Sequence, residues 1–156
     1  MRPKTSLQQA AEQYGNAHRL AVETTGEIDP YAAINWGVFR CLAGEPGGEY
    51  EAEMVKEITA LARDSVTAAK QKEKTKPEFW NRVAVPDAEV MLGLLKADLD
   101  RRVVKIARMY KEAFDLHSAE VQRRSVRDHA QFLENALRGK GDAELAEAAA
   151  RLVQLL

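Results

Sequence analysis

Apolar residues recur along this chain with the spacing of helices that each bury one face. Between Pro77 and Leu95 (PEFWNRVAVPDAEVMLGLL) they fall three or four residues apart. The members of this stripe are Trp80, Val83, Ala84, Ala88, Met91, Leu94 and Leu95. Six other segments carry similar stripes, and the alternation typical of strands is nearly absent. The pattern therefore predicts an all-α fold of about seven helices.

Turn and capping residues set the limits of these helices. The predicted segments are Ser6–Glu23, Pro30–Ala43, Glu49–Lys72, Pro77–Leu95, Leu99–Leu116, a sixth from His117–Ser118 to a stop at Gly139–Gly141, and Ala143–Leu155. Pro30 occupies a first helical position, where proline is tolerated, and Ser118 and Asp142 are predicted N-caps. Gly44–Gly48 is predicted to be a turn. Because the connections are short, we expect successive helices to be antiparallel neighbours.

Two residues depart from the stripe in the fourth helix. Pro86 cannot donate an N–H to the carbonyl of Arg82, so we expect a kink there. Asp87 stands where an apolar residue is due, and an inward carboxylate requires an arginine or a backbone donor. Two interpretations stay open. Asn35, Arg82 and Asp87 form one wall of a binding groove, or a structural pair braces the kink.

A spacing of small and aromatic residues occurs in two helices. Ala11–Ala17 (AEQYGNA) and Ala107–Ala113 (ARMYKEA) both place a tyrosine three residues from an alanine on either side. Recurrence of one helical pattern is typical of stacked helix pairs, and the alternative is a plain helical bundle.

This small–aromatic–small helix resembles the second helix of a tetratricopeptide repeat. Residues 30–44 (PYAAINWGVFRCLAG) followed by 78–99 (EFWNRVAVPDAEVMLGLLKADL) also look like the tetratricopeptide-like module called the TRAFs-binding domain. Its features here are Tyr31, Asn35, Phe79, Trp80 and Asp98. The resemblance spans roughly 30–138. It implies antiparallel helix pairs stacked as a right-handed superhelix, and a non-catalytic protein–protein interaction scaffold of signalling or defence proteins, often within a longer chain.

On this interpretation the partner is another protein, whose helix or extended segment lies on a concave face made by the second, fourth and sixth helices. The residues expected to bind it are Asn35, Trp36, Arg40, Arg82 and Asp87, with Arg123 and Arg127 at the end of the face. Trp36 fits core packing equally well. The sequence does not indicate an oligomeric state.

Composition narrows the function classes. At 156 residues the chain suits a single domain, and 23 basic against 24 acidic residues argue against wholesale nucleic-acid binding. A single cysteine, Cys41, is typical of a reducing, cytoplasmic setting, and its apolar neighbours indicate a small core residue. The N-terminal segment has no apolar signal core, and no apolar run is long enough for a membrane span.

Two basic groups give a second hypothesis. They are Arg101, Arg102, Lys105, Arg108 and Lys111 on the fifth helix, and Arg123, Arg124 and Arg127 on the sixth. A phosphate-bearing ligand or RNA would bind such groups. The other interpretation is a solvated helix face balanced by neighbouring acidic residues.

Metal and catalytic signatures are missing from the sequence. Glu-x-x-His does not occur before His18, His117 or His129, and neither HExxH nor G-x-S-x-G is present. We therefore expect no catalytic residue, metal or cofactor. A third hypothesis, a helical-bundle enzyme, predicts a deep pocket that gathers Cys41 or a histidine with Asp87.

Overall fold

The computed structural model describes residues 2–44 and 50–156, and within them the chain is all-α. The helices are α1 (Ser6–Thr25), α2 (Pro30–Ala43), α3 (Ala52–Thr75), α4 (Phe79–Leu95), α5 (Leu99–His117), α6 (Glu120–Lys140) and α7 (Ala143–Leu155). The predicted limits of α2 and α7 are confirmed, and the others differ by a few residues. Residues 45–48 of the predicted turn and Glu49, the predicted start of α3, lie outside the described residues. None of the described helices is both long and apolar enough to cross a membrane.

Side chains and backbone positions at the helix ends explain where several helices begin. Thr5 caps α1 reciprocally with Gln8, each side chain accepting from the other's backbone N–H. Asp29 lies just before Pro30, the first residue of α2. Its carboxylate accepts a hydrogen bond from the backbone N–H of Tyr31. The prediction for Ser118 was wrong. Its hydroxyl donates to the carbonyl of Phe114 at 2.5 Å, so it ends α5 instead of starting α6.

The helices pack in pairs around one apolar core. The packed pairs are α1 with α2, α3 with α4, α4 with α5, α6 with α7, α5 with α7, α2 with α4 and with α3, and, over a small area, α2 with α6. The largest fully buried side chains are Leu42, Ile58, Met91, Leu94, Leu99, Ile106, Leu133, Leu137, Leu152, Val38, Val90 and Val103. Because α4 touches α2, α3 and α5, it buries residues around most of its circumference and is the centre of the core.

The beginning of α4 differs from the predicted stripe. Phe79 is 3% exposed and Trp80 is 50% exposed, so the buried aromatic is the residue before the tryptophan. The stripe was wrong at this point, because Phe79 stacks on Phe114 of α5 with ring centroids 6.1 Å apart, whereas half of the Trp80 side chain stays open to solvent. Further along, α4 continues through the buried Pro86 to Leu95 without interruption.

The small–aromatic–small pattern does not pack in the same way in its two helices. In α5, Ala107, Tyr110 and Ala113 are all buried. In α1, Tyr14 is only partly buried and Ala17 is exposed. The difference arises because α5 lies between α4 and α7, whereas α1 packs chiefly on α2.

One close approach brings α2 against α4. A Cβ atom added at Gly37 would collide with the sulfur of Met91, whose side chain is fully buried. Gly37 therefore lets α2 and α4 approach closely at this point.

Candidate functional site: a central cavity between α2, α4 and α6

A cavity of about 730 Å³ opens between α2, α4 and α6. We call it the central cavity. Its lining residues are Tyr14, Pro30, Tyr31, Ile34, Asn35, Val38, Phe39, Trp80, Asn81, Val83, Ala84, Asp87, Val90, Tyr110, Ser125, Val126, His129 and Phe132. Three helices supply the walls, while α1 and α5 contribute one tyrosine each. Its volume lies in the range of sites that enclose small ligands or anchoring side chains.

The central cavity is elongated along α4. Its lining residues on this helix begin at Trp80 and end at Val90, ten positions later. At the rise of an α-helix this corresponds to roughly 15 Å. The wall from α2 likewise begins at Pro30 and ends at Phe39, and α6 contributes residues over about two turns. The shape is therefore a short trough with helical walls.

Aromatic rings form the rim of the central cavity. Tyr14 stacks on Phe39 with ring centroids 5.4 Å apart and meets Tyr31 edge-on at 6.0 Å. Phe39 contacts Phe132 at 5.7 Å, which joins the α2 wall to the α6 wall. Tyr31 and Trp80 are 67% and 50% exposed, so they mark the mouth. Aromatic side chains that are partly exposed to solvent and partly packed are typical of residues that anchor a binding partner.

Asp87 is partly buried in the α4 wall and accepts a hydrogen bond from the hydroxyl of Tyr110 on α5. Burial raises the pKa of the Asp87 carboxyl from its ordinary 3.8 to about 6, although the bond from Tyr110 acts in the opposite direction. The pKa of Tyr110 is raised well above its ordinary value, first by burial and then by the charge of Asp87. At neutral pH the pair is therefore a neutral phenol bound to a carboxylate.

The charge of Asp87 has no cationic counterpart in the central cavity. Asp87 is the only acidic residue of the lining, and no lysine or arginine of the described chain lines it. Burial lowers the pKa of His129, which keeps this imidazole neutral at pH 7. Tyr110 is thus the donor found where an arginine or a backbone N–H was predicted. A hydroxyl supplies a hydrogen bond but leaves the negative charge uncompensated.

Of the seven predicted binding residues, Asn35 and Asp87 line the central cavity. The Asn35 amide also donates to the carbonyl of Tyr31 at 2.9 Å, which holds the Asn35 side chain against its own helix.

Trp36 lies outside the lining and stacks on His18 with ring centroids 5.4 Å apart. The Arg40 guanidinium lies 5.0 Å from the centre of the Trp36 ring and forms an ion pair with Glu57 at 3.0 Å.

The three remaining predicted residues also lie outside the lining, each in an ion pair with an acidic residue. Arg82 on α4 pairs with Glu73 of α3 at 2.5 Å. Arg123 and Arg127 both pair with Glu120, at 2.9 Å and 3.4 Å. Arg127 also donates from Nε to the carbonyl of Leu156 at 2.9 Å, which ties α6 to the end of α7.

The basic group on α5 is partly engaged in the same way. Arg102 donates to Asp98 at 2.7 Å and to Glu89 at 2.9 Å, and Lys105 lies 3.5 Å from Glu89. These carboxylates raise the pKa of Arg102, and the hydrogen bond that Arg102 donates to Asp98 is the largest cause. Two of the five basic residues of this group, Arg102 and Lys105, are therefore paired with carboxylates of the same chain.

Several lining residues were not among the predicted binding residues. They are mainly the aromatic residues Tyr14, Tyr31, Phe39, Trp80, Tyr110 and Phe132, together with His129. The repeated small–aromatic–small spacing marked Tyr14 and Tyr110, but as packing residues. Phe132 lies on α6 and is 39% exposed. Helical phase alone does not distinguish an aromatic in a core from one at the rim of a cavity.

The enzyme hypothesis predicted a pocket that gathers Cys41 or a histidine with Asp87. His129 and Asp87 both line the central cavity, whereas the buried Cys41 does not. No hydrogen bond between His129 and Asp87 occurs in the described chain, where the only recorded partner of the Asp87 side chain is Tyr110. Burial raises the pKa of the Cys41 thiol to about 12, so it is protonated at neutral pH. The described residues contain no group of three or more His, Cys, Asp or Glu side chains placed to hold a metal ion.

Comparison of the chain with protein-family models, with curated proteins and with solved structures finds no match. The resemblance to the TRAFs-binding domain therefore stays a prediction.

Proposed function

We propose that this protein is a non-catalytic interaction module that holds a helix or extended segment of another protein in the central cavity. The observation that carries this proposal is the shape and lining of the cavity. It is a trough about 15 Å long, bounded by three helices, with exposed aromatic rings at its mouth. That length corresponds to about ten residues of a helix or about five of an extended strand.

The packing of the helices agrees with the same proposal in part. A tetratricopeptide-like superhelix is built from adjacent antiparallel pairs, and α1 with α2 and α3 with α4 are packed neighbours. The third pair of such an array is not formed, because α5 packs on α4 and α7 and not extensively on α6. In such an array the alternate helices α2, α4 and α6 form the inner wall, which is where the cavity lies. We accordingly retain the tetratricopeptide-like arrangement, a role in signalling or defence, and a cytoplasmic location as parts of the proposal.

The phosphate or RNA hypothesis receives less support. Arg102, Arg123 and Arg127 are held by carboxylates of the same chain, and a phosphate would have to displace them. The lining of the central cavity carries one negative group, Asp87, and no lysine or arginine of the described chain. A polyanion would be repelled there.

Selection of peptides from a random display library tests the proposal directly. Binders would be synthesised and their affinities measured for wild type, for Trp80→Ala and Phe132→Ala at the mouth, and for Val104→Ala as the control. Val104 is an apolar side chain 66% exposed on α5, outside the cavity lining. We expect a loss of at least about tenfold in the first two variants and none in the third.

Circular dichroism and thermal unfolding would establish that each variant is folded before its affinity is interpreted. Two results contradict the proposal. One is a library that yields no binder, and the other is a set of binders whose affinity is the same for all three variants and wild type.

A further inference from the structure

The lining of the central cavity contains an unpaired negative charge. Asp87 is its only acidic residue, no basic residue of the described chain lines it, and the one hydrogen bond recorded for its side chain comes from the neutral hydroxyl of Tyr110. A partly buried carboxylate without a counter-charge lowers the stability of the empty protein. A cation brought in by a ligand would supply the missing charge.

Aromatic side chains line the same cavity as this carboxylate. Trp80 at the mouth and Asp87 lie seven positions apart on α4, which is about 10 Å along the helix. Tyr14, Tyr31 and Phe132 line the same space. Ring faces attract cations and also accept the apolar stem of a long side chain, so they favour a ligand with a flexible chain and a positive end.

These two features lead to one ligand chemistry. We propose that a lysine or arginine side chain of the partner segment enters the central cavity between the aromatic rings and pairs with Asp87. The inference rests on the proposed function, because it assumes that the ligand belongs to a protein. It adds the chemical feature that the partner must present, a basic side chain exposed on the segment.

Peptide libraries with one fixed residue test the inference. Four nine-residue libraries would carry lysine, arginine, norleucine or glutamate at the centre and random residues elsewhere, and fluorescence polarisation would compare them. We expect the lysine or arginine library to bind at least about tenfold more tightly than the norleucine library, as a charge-assisted hydrogen bond contributes. Equal binding of the lysine, arginine and norleucine libraries would overturn the inference.

Two variants connect the preference to Asp87. Asp87→Asn keeps an oxygen that accepts from Tyr110 and removes the charge, so we expect it to abolish the preference for a basic residue. Glu112→Gln makes the same change of net charge at an exposed position of α5 outside the cavity, and we expect it to keep the preference. A preference that persists in Asp87→Asn contradicts the inference. Chemical denaturation of both variants would check that they fold.

A small probe separates failure of the inference from failure of the proposed function. Titration with n-butylammonium chloride, with n-butanol as the neutral control, would be followed by the NMR signal of the Trp80 indole N–H. If the ammonium ion shifts this signal while no peptide library binds, the cation site stands and the protein partner is wrong. If peptides bind without a charge preference, the protein partner stands and the cation site is wrong. If neither probe binds, both proposals fail.

Discussion

The hydroxyl of Tyr110 on α5 donates a hydrogen bond to the carboxylate of Asp87 on α4, at the wall of the central cavity. This bond joins two neighbouring helices and holds in place the one acidic group that the described chain contributes to the cavity lining. It also opposes the effect of burial on the pKa of Asp87. The pair therefore connects the stability of the protein with the charge of its candidate site.

Removal of the hydroxyl should change both properties. We expect Tyr110→Phe to lower the free energy of unfolding by about 1–3 kcal/mol at pH 7, because a buried carboxylate loses its donor. The same change should raise the pKa of Asp87 above about 6, since the bond from Tyr110 lowers it. Urea denaturation and NMR titration of the carboxyl carbon measure the two effects.

Tyr50→Phe is the matched control for this prediction. It removes a hydroxyl that donates to the carbonyl of Cys41 at 3.0 Å, away from the cavity lining. Some stability should be lost, and the pKa of Asp87 should not move. A pKa of Asp87 that is identical in Tyr110→Phe and wild type would contradict the role assigned to the bond.

The raised pKa of Asp87 predicts how stability depends on pH. The folded state holds the proton up to about pH 6, whereas the unfolded state releases it near 3.8. Between these values the folded state binds more protons, so its stability falls as pH rises. The advantage is fully present below about pH 3.8 and is lost as pH rises through 6. Relative to Asp87→Asn, wild type should therefore lose about 2–3 kcal/mol between pH 4 and pH 7.5.

Guanidinium denaturation of both proteins at several pH values measures this difference. The comparison cancels the other titratable groups of the cavity, His129, Tyr14, Tyr31 and Tyr110, because both proteins contain them. The contribution of His129, which cancels in this comparison, has the opposite pH dependence to that of Asp87. Its pKa is lowered by burial, so protonation of His129 at low pH destabilises the fold. A difference that stays constant with pH would show that Asp87 does not titrate with a raised pKa.

Two neighbouring aromatic residues of α4 should have separate roles. Phe79, which is 3% exposed and stacks with Phe114, supports the core. Phe79→Ala should therefore destabilise the fold by about 3–5 kcal/mol. Trp80 is half exposed at the mouth, and Trp80→Ala should cost about 1 kcal/mol while it removes ligand binding. Thermal unfolding together with the peptide assay distinguishes them, and equal losses of stability would contradict this assignment.

Two glycines should respond to alanine with opposite signs. At Gly37 a Cβ meets the buried Met91 side chain, so Gly37→Ala should destabilise the protein by about 1–3 kcal/mol. At Gly139, in the last turns of α6, nothing lies within 4 Å of the added atom. Gly139→Ala should stabilise by up to about 1 kcal/mol, because it restricts the unfolded chain. Urea denaturation of the two variants in parallel measures this, and a shared sign would exclude the packing explanation.

Helix limits with local signals could be predicted from the sequence. Pro30 begins α2 as predicted, because the geometry of proline involves only adjacent residues. Asp142 occupies the predicted N-cap position of α7, but its side chain makes no capping hydrogen bond. Ser118 shows the limit of this approach. A serine between two helices can cap the end of the first helix or the start of the second. The Ser118 hydroxyl donates to the carbonyl of Phe114, so it caps the end of α5.

The candidate site could be predicted only in part. The stripe of apolar residues singled out Asp87, because a charge on a buried face needs an explanation that packing alone does not give. Its partner Tyr110 lies 23 residues away on the next helix, a separation at which no sequence spacing indicates contact. The arginines were misplaced for the same reason. Their charge is visible in the sequence, but the acidic residues that bind Arg40 and Arg82 come from α3.

By itself the sequence determined an all-α chain, the approximate limits of its helices, and one charged residue on the buried face of α4. These follow from periodicity and capping, which act over a few residues. Only the tertiary structure decided that Trp80 stands at a mouth while Phe79 is in the core, and that Asp87 faces a cavity without a counter-charge. Such facts depend on which helices meet, because the same amphipathic face can lie against a neighbour or line the space between three of them.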